Sequence, residues 1–145
     1  MSAPKITKHE YEMLAAFRFS LRQFLRFSEE AAHAEGSTPQ KHQALLAIKG
    51  YPGRESVSIG ELAERLQIQH HSAVGLIDRL VADGLIVREP SATDRRQVII
   101  CLTPAGEELL EKLASVHRVQ LSRVGPELHQ LLGKLTQWAG AGVAE

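Results

Sequence analysis

The chain has 145 residues, enough for one domain with a modest hydrophobic core. Apolar residues make up 43% of it and charged residues 23%, as in ordinary globular proteins, and no run of about 18 apolar residues predicts a membrane span. Basic and acidic side chains number 17 each, so nucleic-acid binding would depend on segregating opposite charges between faces and not on net charge.

The first residues indicate the cellular location, and the single cysteine limits the possible disulfide and zinc sites. The segment from Met1 to Glu12 is charged and lacks the apolar region of a secretory signal, so we expect the protein in the cytoplasm. Cys101 alone can form neither an intrachain disulfide nor a cysteine-rich zinc site.

A long first helix is predicted from Lys8 to about Ala34, a stretch without Pro or Gly. All four Phe residues of the chain lie in this stretch, and they do not share one stripe. A helix that is apolar on more than one side is usually buried on more than one side. We therefore expect this helix to lie between its own domain and a partner subunit.

Two further helix starts are marked by capping residues. Thr38 and Pro39 suit the N-cap and the first helical position, which predicts a second helix that ends near Gly50. Ser58 and Glu61 have the spacing of a capping box, which predicts a short third helix.

A fourth helix is predicted from about His70 to Gly84, because glycine is favoured just past a helix C-terminus. Its predicted core stripe consists of Val74, Ile77, Leu80 and Val81. The residues that this stripe leaves off the core side are His70, His71, Ser72, Gly75, Leu76 and Arg79.

A β-hairpin is predicted next. The β-prone segments Leu85 to Arg88 and Gln97 to Leu102 are separated by turn-forming residues. The tip of this hairpin carries Asp94, Arg95 and Arg96.

The last part of the chain is predicted to form two helices, Pro104 to about Val124 and Glu127 to about Ala139, with a break at Gly125-Pro126. The predicted fold is therefore mainly α with a small β-wing. A winged helix-turn-helix over residues 35–104 is flanked by helical dimerisation segments at residues 1–34 and 105–145, all within a single compact domain.

Two short helices followed at once by a hairpin are typical of a winged helix-turn-helix, whose second helix enters the major groove of DNA. Gly75 would let that helix approach closely. At the hairpin tip, Asp94 could hold an Arg side chain extended, and an inserted Arg is attracted by a narrow minor groove. The alternatives are a merely solvated polar helix face and a surface Asp–Arg pair of little energetic value.

The sequence resembles the MarR family of transcriptional regulators along nearly its whole length. The segments that carry the resemblance are Ser58–Leu66, Ser72–Leu80, Asp83–Ile86, Asp94-Arg95-Arg96 and Leu102-Thr103-Pro104-Ala105-Gly106. The resemblance implies a homodimer, held by the first and the last two helices, on a pseudopalindromic operator in double-stranded DNA. It also implies repression that a small ligand or an oxidant relieves.

The resemblance also implies roles for single residues. Arg96 falls where one Arg enters the minor groove, with Asp94 supporting it. Gln69 replaces the usual Ser or Thr cap of the recognition helix, which affects the preferred base sequence and not the mode of docking. The positions implied to meet the major groove are His70, His71, Ser72, Gly75 and Leu76.

An effector pocket between the first, second and fifth helices is a further implication of the resemblance. It would take a small aromatic or anionic effector. His42 and His117 lie on helices that form this pocket or a zinc site in some members, but no second ligand stands four residues from His117. The residues that would line the pocket are Phe17, Leu21, Phe24, His42 and Leu46.

Two charged groups admit several interpretations. The His70–His71 pair could contact DNA with a pH-sensitive affinity, or it could simply be exposed to solvent. It could also bind a metal, but neighbouring side chains on a helix point about 100° apart, which disfavours two ligands to one ion. Arg18, Arg22 and Arg26 form one stripe that is either solvated, with Arg26 paired to Glu30, or in contact with phosphate or an anionic effector.

Cys101 also has two interpretations. Alternation along the second wing strand directs Val98, Ile100 and Leu102 to the core and Cys101 to the other face. Cys101 is then an ordinary strand residue, or a redox sensor whose thiol pKa is lowered by Arg88 across the hairpin.

Two other classes of function are open at this point. A winged helix can bind another protein instead of DNA, which the zero net charge favours, and the DNA affinity of an Arg96→Ala variant would separate the two. The sequence contains no glycine-rich phosphate loop, no His-x-x-x-His pair and no nucleophile motif. We therefore expect no enzymatic activity, no cofactor and no metal.

Overall fold

The structure of the chain, a computed structural model, describes residues 5–143. None of the helices in this range is both long and apolar enough to cross a membrane. The predicted class, mainly α with a small β-wing, is confirmed. The elements in chain order are α1 (Lys8–Ala34), α2 (Pro39–Lys49), β1 (Ser56–Ser58), α3 (Ile59–Leu66), α4 (His70–Ala82), β2 (Ile86–Pro90), β3 (Val98–Leu102) and α5 (Pro104–Val143).

The chain divides into two units. The helical unit consists of the chain up to Glu30 and from Val116 onward, and so holds the larger parts of α1 and α5. The winged unit is Ala31–Ser115 and contains α2, α3, α4 and all three strands. The assignment of the helical segments to dimerisation stays a prediction.

The core of the winged unit is formed by apolar side chains from α2, α3, α4, the sheet and the first part of α5. Leu45, Ile77 and Ile100 are among its fully buried members. The predicted helix starts are confirmed, since the Thr38 hydroxyl accepts the amide of Lys41 and Ser58 forms a complete capping box with Glu61. The amide of Ser58 donates to the Glu61 carboxylate, and this bond lowers the pKa of that carboxyl.

The hairpin is confirmed, and a third strand extends it. β2 and β3 are antiparallel, with Ile86 opposite Leu102. β1 pairs with the other side of β3, with Val57 opposite Ile100, so the strand order is β1-β3-β2. The sequence does not predict β1, because a strand of three residues is too short to show alternation.

The predicted core stripe of α4 is wrong at Leu76. Leu76 is 1% exposed and belongs to the core cluster, whereas Val74 and Val81 are only half-buried. The physical reason is that the small side chain of Ala73 is fully buried and starts a stripe with regular helical spacing. The residues that α4 buries are Ala73, Leu76, Ile77 and Leu80. Leu76 therefore does not lie on the surface that could meet the major groove.

We expect Leu76→Ala to lower the free energy of unfolding by about 2–5 kcal/mol, because truncating a buried Leu leaves a cavity. Urea denaturation of the variant measures this loss. Leu46→Ala is the matched control, since Leu46 is 52% exposed and should change stability far less. Equal, small effects of both substitutions would contradict the burial of Leu76.

The predicted break between the last two helices is also wrong, because α5 is continuous from Pro104 to Val143 with Pro126 inside it. Proline removes one helical hydrogen bond but its φ is compatible with a helix. Proline disfavours the helical conformation of the preceding residue partly through a clash with its β-carbon. That residue is Gly125, which has none, so the helix can pass through this position.

The junction between the wing and α5 is built around Thr103. Its hydroxyl donates to the carbonyl of Gly84 at 2.6 Å and accepts the amide of Gly106 at 3.1 Å. Its own amide donates to the carbonyl of Leu85 at 3.0 Å. These three bonds fix the start of α5 against the residues that lead into β2.

Candidate nucleic-acid interface

The exposed face of α4 carries most of the residues predicted to read DNA. His70, His71 and Arg79 are exposed, while Ser72 and Gly75 are half-buried. The side chain of Gln69, at the N-cap, makes no capping hydrogen bond. The first amides of α4 are thus left without a side-chain cap, and such amides can bind a DNA phosphate.

Gly75 makes room for Arg79 on this face. A β-carbon built on Gly75 would lie 3.4 Å from Nη1 of Arg79, one turn further along the helix. Long helical side chains lean toward the N-terminus, so the guanidinium lies back over the glycine. The Arg79 guanidinium therefore lies over Gly75 and makes this part of the α4 surface cationic.

We expect Gly75→Ala to separate folding from DNA binding. Ala is favoured over Gly inside a helix by up to about 1 kcal/mol, and the only close atom is the mobile end of Arg79. Thermal unfolding should therefore show equal or higher stability. If α4 lies in the major groove, the new methyl group displaces Arg79 and weakens DNA binding, which fluorescence anisotropy would measure. A variant that is more stable and binds DNA as the wild type does would argue against this docking face.

The wing tip is held by hydrogen bonds within its own turn. The Ser91 amide donates to the Gln97 carbonyl at 3.0 Å, and the Gln97 amide donates to the Asp94 carbonyl at 3.1 Å. The Asp94 carboxylate accepts the backbone amide of Arg96 at 2.9 Å. The expectation that Asp94 extends an Arg side chain is therefore corrected, because its carboxylate fixes the turn backbone from which Arg95 and Arg96 project.

The ion pairs of the winged unit do not include the cations on the exposed face of α4 and at the wing tip. The pairs that engage acidic residues around the helix-turn-helix are Glu55 with Lys49, Glu61 with Arg54, Asp78 with Arg88 and Asp83 with Lys41. Among residues 5–143, Arg79, Arg95 and Arg96 have no carboxylate within ion-pair distance. These three residues can therefore present positive charge although the chain is neutral overall.

Arg88 links the wing to α4 and does not activate Cys101. Its guanidinium pairs with Asp78 of α4, and Val87 is the residue opposite Cys101 in the hairpin. Burial and the neighbouring Glu89 carboxylate raise the pKa of the Cys101 thiol. The alternative in which Arg88 lowers the pKa of the Cys101 thiol is contradicted, and the ordinary strand interpretation is favoured.

The residues predicted to line an effector pocket belong to both units. Phe17, Leu21 and Phe24 lie in the helical unit, and His42 and Leu46 lie in the winged unit. The Phe24 ring meets the edge of His117 at 5.9 Å between centroids. His42 is 5% exposed. The proposed pocket stays a prediction.

Two other candidate groups, His117 and Arg26, have partners on α1. His117 Nε2 lies 2.7 Å from the Ser28 hydroxyl, and Arg26 pairs with Glu30 as predicted. Within residues 5–143, no group of three or more His, Cys, Asp or Glu side chains could hold a metal ion. Nothing in this range therefore favours the metal interpretation of His70 and His71.

Sequence reasoning missed the Asp78–Arg88 pair and the position of Lys49, whose ammonium contacts both Glu55 and Glu107. Opposite charges on neighbouring predicted elements were the only available signal. Helical periodicity relates residues within one helix, and it cannot relate α4 to β2 or α2 to α5.

Comparison with known proteins gives matches in sequence and in fold. The sequence model of the MarR family matches residues 35–97. A Thauera aromatica protein, named for transcriptional regulation of the hcr operon, is 32% identical over 66% of this chain and 56% of its own length. The transcriptional activatory protein BadR of Rhodopseudomonas palustris is 33% identical over 58% of this chain and 48% of its own. The chain thus aligns with about half the length of each relative.

Two solved structures share the fold along nearly the whole chain. AbsC of Streptomyces coelicolor, a MarR family transcriptional regulator, has a TM-score of 0.74 at 22% identity and covers 98% of this chain and 96% of its own. A MepR F27L mutant of S. aureus, bound to an oligodeoxyribonucleotide, has a TM-score of 0.63 at 21% identity. The match covers 94% of this chain and 99% of the MepR chain. Residues 35–97, which include α4 and the wing tip, are thus similar to the MarR family, whose members are transcriptional regulators and not enzymes.

Proposed function

We propose that this protein is a sequence-specific DNA-binding transcriptional regulator and not an enzyme. The observation that carries the proposal is the set of exposed Arg79, Arg95 and Arg96, which lack carboxylate partners in the described chain and lie on α4 and the wing. α4 would enter the major groove while Arg96 enters the adjacent minor groove. The oligodeoxyribonucleotide bound to the MepR mutant supports DNA binding by analogy of fold.

We further propose that the protein acts as a homodimer on a pseudopalindromic operator. Nine of the twelve exposed large apolar side chains of the described chain belong to the helical unit. Exposed apolar side chains that are concentrated on one unit favour a protein–protein contact there. The residues are Ile6, Tyr11, Phe19, Leu21, Leu25, Val116, Val119, Leu121 and Leu132.

We also propose that the protein represses transcription and that a small effector releases it from the operator. It would act in the cytoplasm, where it can reach the operator. A dimer that occupies promoter DNA blocks polymerase in the simplest case. The name of BadR, an activatory protein, keeps activation as the second candidate. A promoter–reporter assay decides, because deleting the regulator raises expression if it represses and lowers expression if it activates.

Salt dependence of DNA binding tests the proposal directly. Fluorescence anisotropy on a short duplex of mixed sequence should show an affinity that falls steeply with salt, because phosphate contacts release counterions. A variant with Arg79, Arg95 and Arg96 all changed to Ala should bind more weakly with a shallower slope. The protein-interaction alternative, favoured by the zero net charge, predicts no binding by the wild type even at low salt.

A further inference from the structure

We propose that a groove between α2 and α5 of the winged unit binds an apolar organic cation, and that Lys49 transmits its occupancy to the wing. This inference rests on the proposed function, whose effector it assigns to a chemical class. It differs from the aromatic or anionic effector that the family resemblance implies.

The groove lies wholly within the winged unit and has a volume of about 350 Å³. Leu46, Leu110 and Ala114 supply apolar surface, and Leu46 is 52% exposed. A volume of this size accommodates a small organic molecule, for which a mostly apolar lining with few polar groups is typical. The polar side chains that line the groove are Lys49, Glu107 and Glu111.

The charges around the groove favour a cation over an anion. The Lys49 ammonium lies 3.1 Å from the Glu55 carboxylate and 3.0 Å from that of Glu107, and both carboxylates raise the pKa of Lys49. Glu111 has no ion-pair partner among the described residues. The charged side chains that line the groove are thus one ammonium, Lys49, and two carboxylates, Glu107 and Glu111. This excess of negative charge is complementary to a positively charged ligand.

Lys49 connects the groove to the DNA-binding elements through Glu55. Glu55 directly precedes β1, whose first residue, Ser56, lies opposite Cys101 of β3. β3 is also the second strand of the wing, and Ser58 at the end of β1 caps α3. A movement of the chain at Glu55 would therefore reach both the wing sheet and the first helix of the helix-turn-helix through β1.

A cation seated against Glu107 and Glu111 would compete with Lys49 for Glu107 and repel the Lys49 ammonium. The Lys49–Glu55 pair would then change, and with it the start of β1. We expect occupancy of the groove to lower DNA affinity about fivefold or more, within the usual range of coupling between two sites. Because such coupling is reciprocal, DNA should lower the affinity for the cation by the same factor.

The first test is binding of benzyltriethylammonium chloride to the intact protein, followed by calorimetry. The cation should bind more tightly than 4-tert-butylbenzoate, an anion of similar bulk. Glu111→Gln should lower the affinity for the cation by about threefold to fivefold, as expected for the loss of one partly exposed charge pair. Glu127→Gln, the same change on α5 outside the groove, should have no effect. Absence of cation binding, or tighter binding of the anion, would overturn the inference.

The second test is the DNA affinity with and without the cation, in the wild type and in Glu55→Gln. The variant removes the Lys49 link to β1 but leaves the groove intact. It should bind the cation as the wild type does and lose most of the effect of the cation on DNA affinity. Full coupling in Glu55→Gln would refute the role of Lys49. Neither test depends on how the protein binds DNA in the absence of the cation. A negative result in either test would therefore leave the proposed DNA-binding function standing and is distinguishable from its failure.

Discussion

Replacing Arg96 with Ala is expected to weaken binding to the operator by at least about thirtyfold. One specific Arg contact is worth about 1–3 kcal/mol, and a dimer on two half-sites loses two of them, hence at least about 2 kcal/mol. Arg96 projects from a turn whose backbone is fixed by Asp94, so little conformational entropy is lost on insertion. Fluorescence anisotropy on an operator duplex at constant salt measures the loss.

The control for this prediction is Arg123→Ala, which removes the same charge from an exposed position of α5 in the helical unit. It should change the affinity only slightly. Arg95→Ala should have an intermediate effect, because the family resemblance assigns the minor groove to Arg96. Equal affinities of the Arg96 and Arg123 variants would show that the wing does not insert as we propose.

Replacing Gly106 with Ala is expected to lower the free energy of unfolding by about 1–3 kcal/mol, the usual cost of forcing atoms into a packed site. A β-carbon built on Gly106 would lie closer than 3.0 Å to the Leu85 carbonyl oxygen and 3.1 Å from its carbonyl carbon. These are backbone atoms, so a rotamer change cannot relieve the clash. Moving them would also disturb the bond from the Thr103 amide to Leu85. Chemical denaturation measures the loss.

Gly133→Ala is the matched control for the Gly106 substitution. Gly133 also lies inside α5, and nothing stands within 4 Å of a β-carbon built there. This variant should be more stable than the wild type by up to about 1 kcal/mol, because Ala has the higher helix propensity. Opposite signs for the two glycines would confirm that packing at the junction, and not helix propensity, decides the effect at Gly106.

The local signals in the sequence predict much of the winged unit. Thr38, Ser58 and Glu61 cap their helices as their spacing indicates, since a cap depends on residues within one turn. The hairpin and its charged tip follow from β-prone segments around turn-forming residues. The fold class is predictable because these local elements occur in an order that few architectures share.

Features that depend on contacts between elements are not predictable in this way. The inward position of Leu76 depends on how closely α4 approaches its neighbours at Ala73. The continuity of α5 depends on the tolerance of Pro126 in the presence of Gly125, which a rule for proline alone does not capture. The Lys49 ion pairs join residues from α2, the following loop and α5, and no periodic pattern relates such residues.

The zero net charge illustrates the same limit. Counting charges from Arg54 to Cys101 gives no basic excess, which argues against a nucleic-acid surface. The structure pairs several of the acidic residues with Lys41, Lys49, Arg54 and Arg88. Outside these ion pairs, α4 and the wing keep three cations, Arg79, Arg95 and Arg96, against two carboxylates, Glu89 and Asp94. The small basic excess at this surface is visible only in the three-dimensional arrangement.

In vitro selection of random duplexes on the purified protein, at about physiological salt, tests the central proposal most directly. We predict enrichment of an inverted repeat whose half-sites lie about one helical turn apart, as expected for a dimer that inserts two α4 helices into successive major grooves. Absence of any enriched sequence, with only salt-sensitive retention of DNA, would contradict operator recognition by this protein.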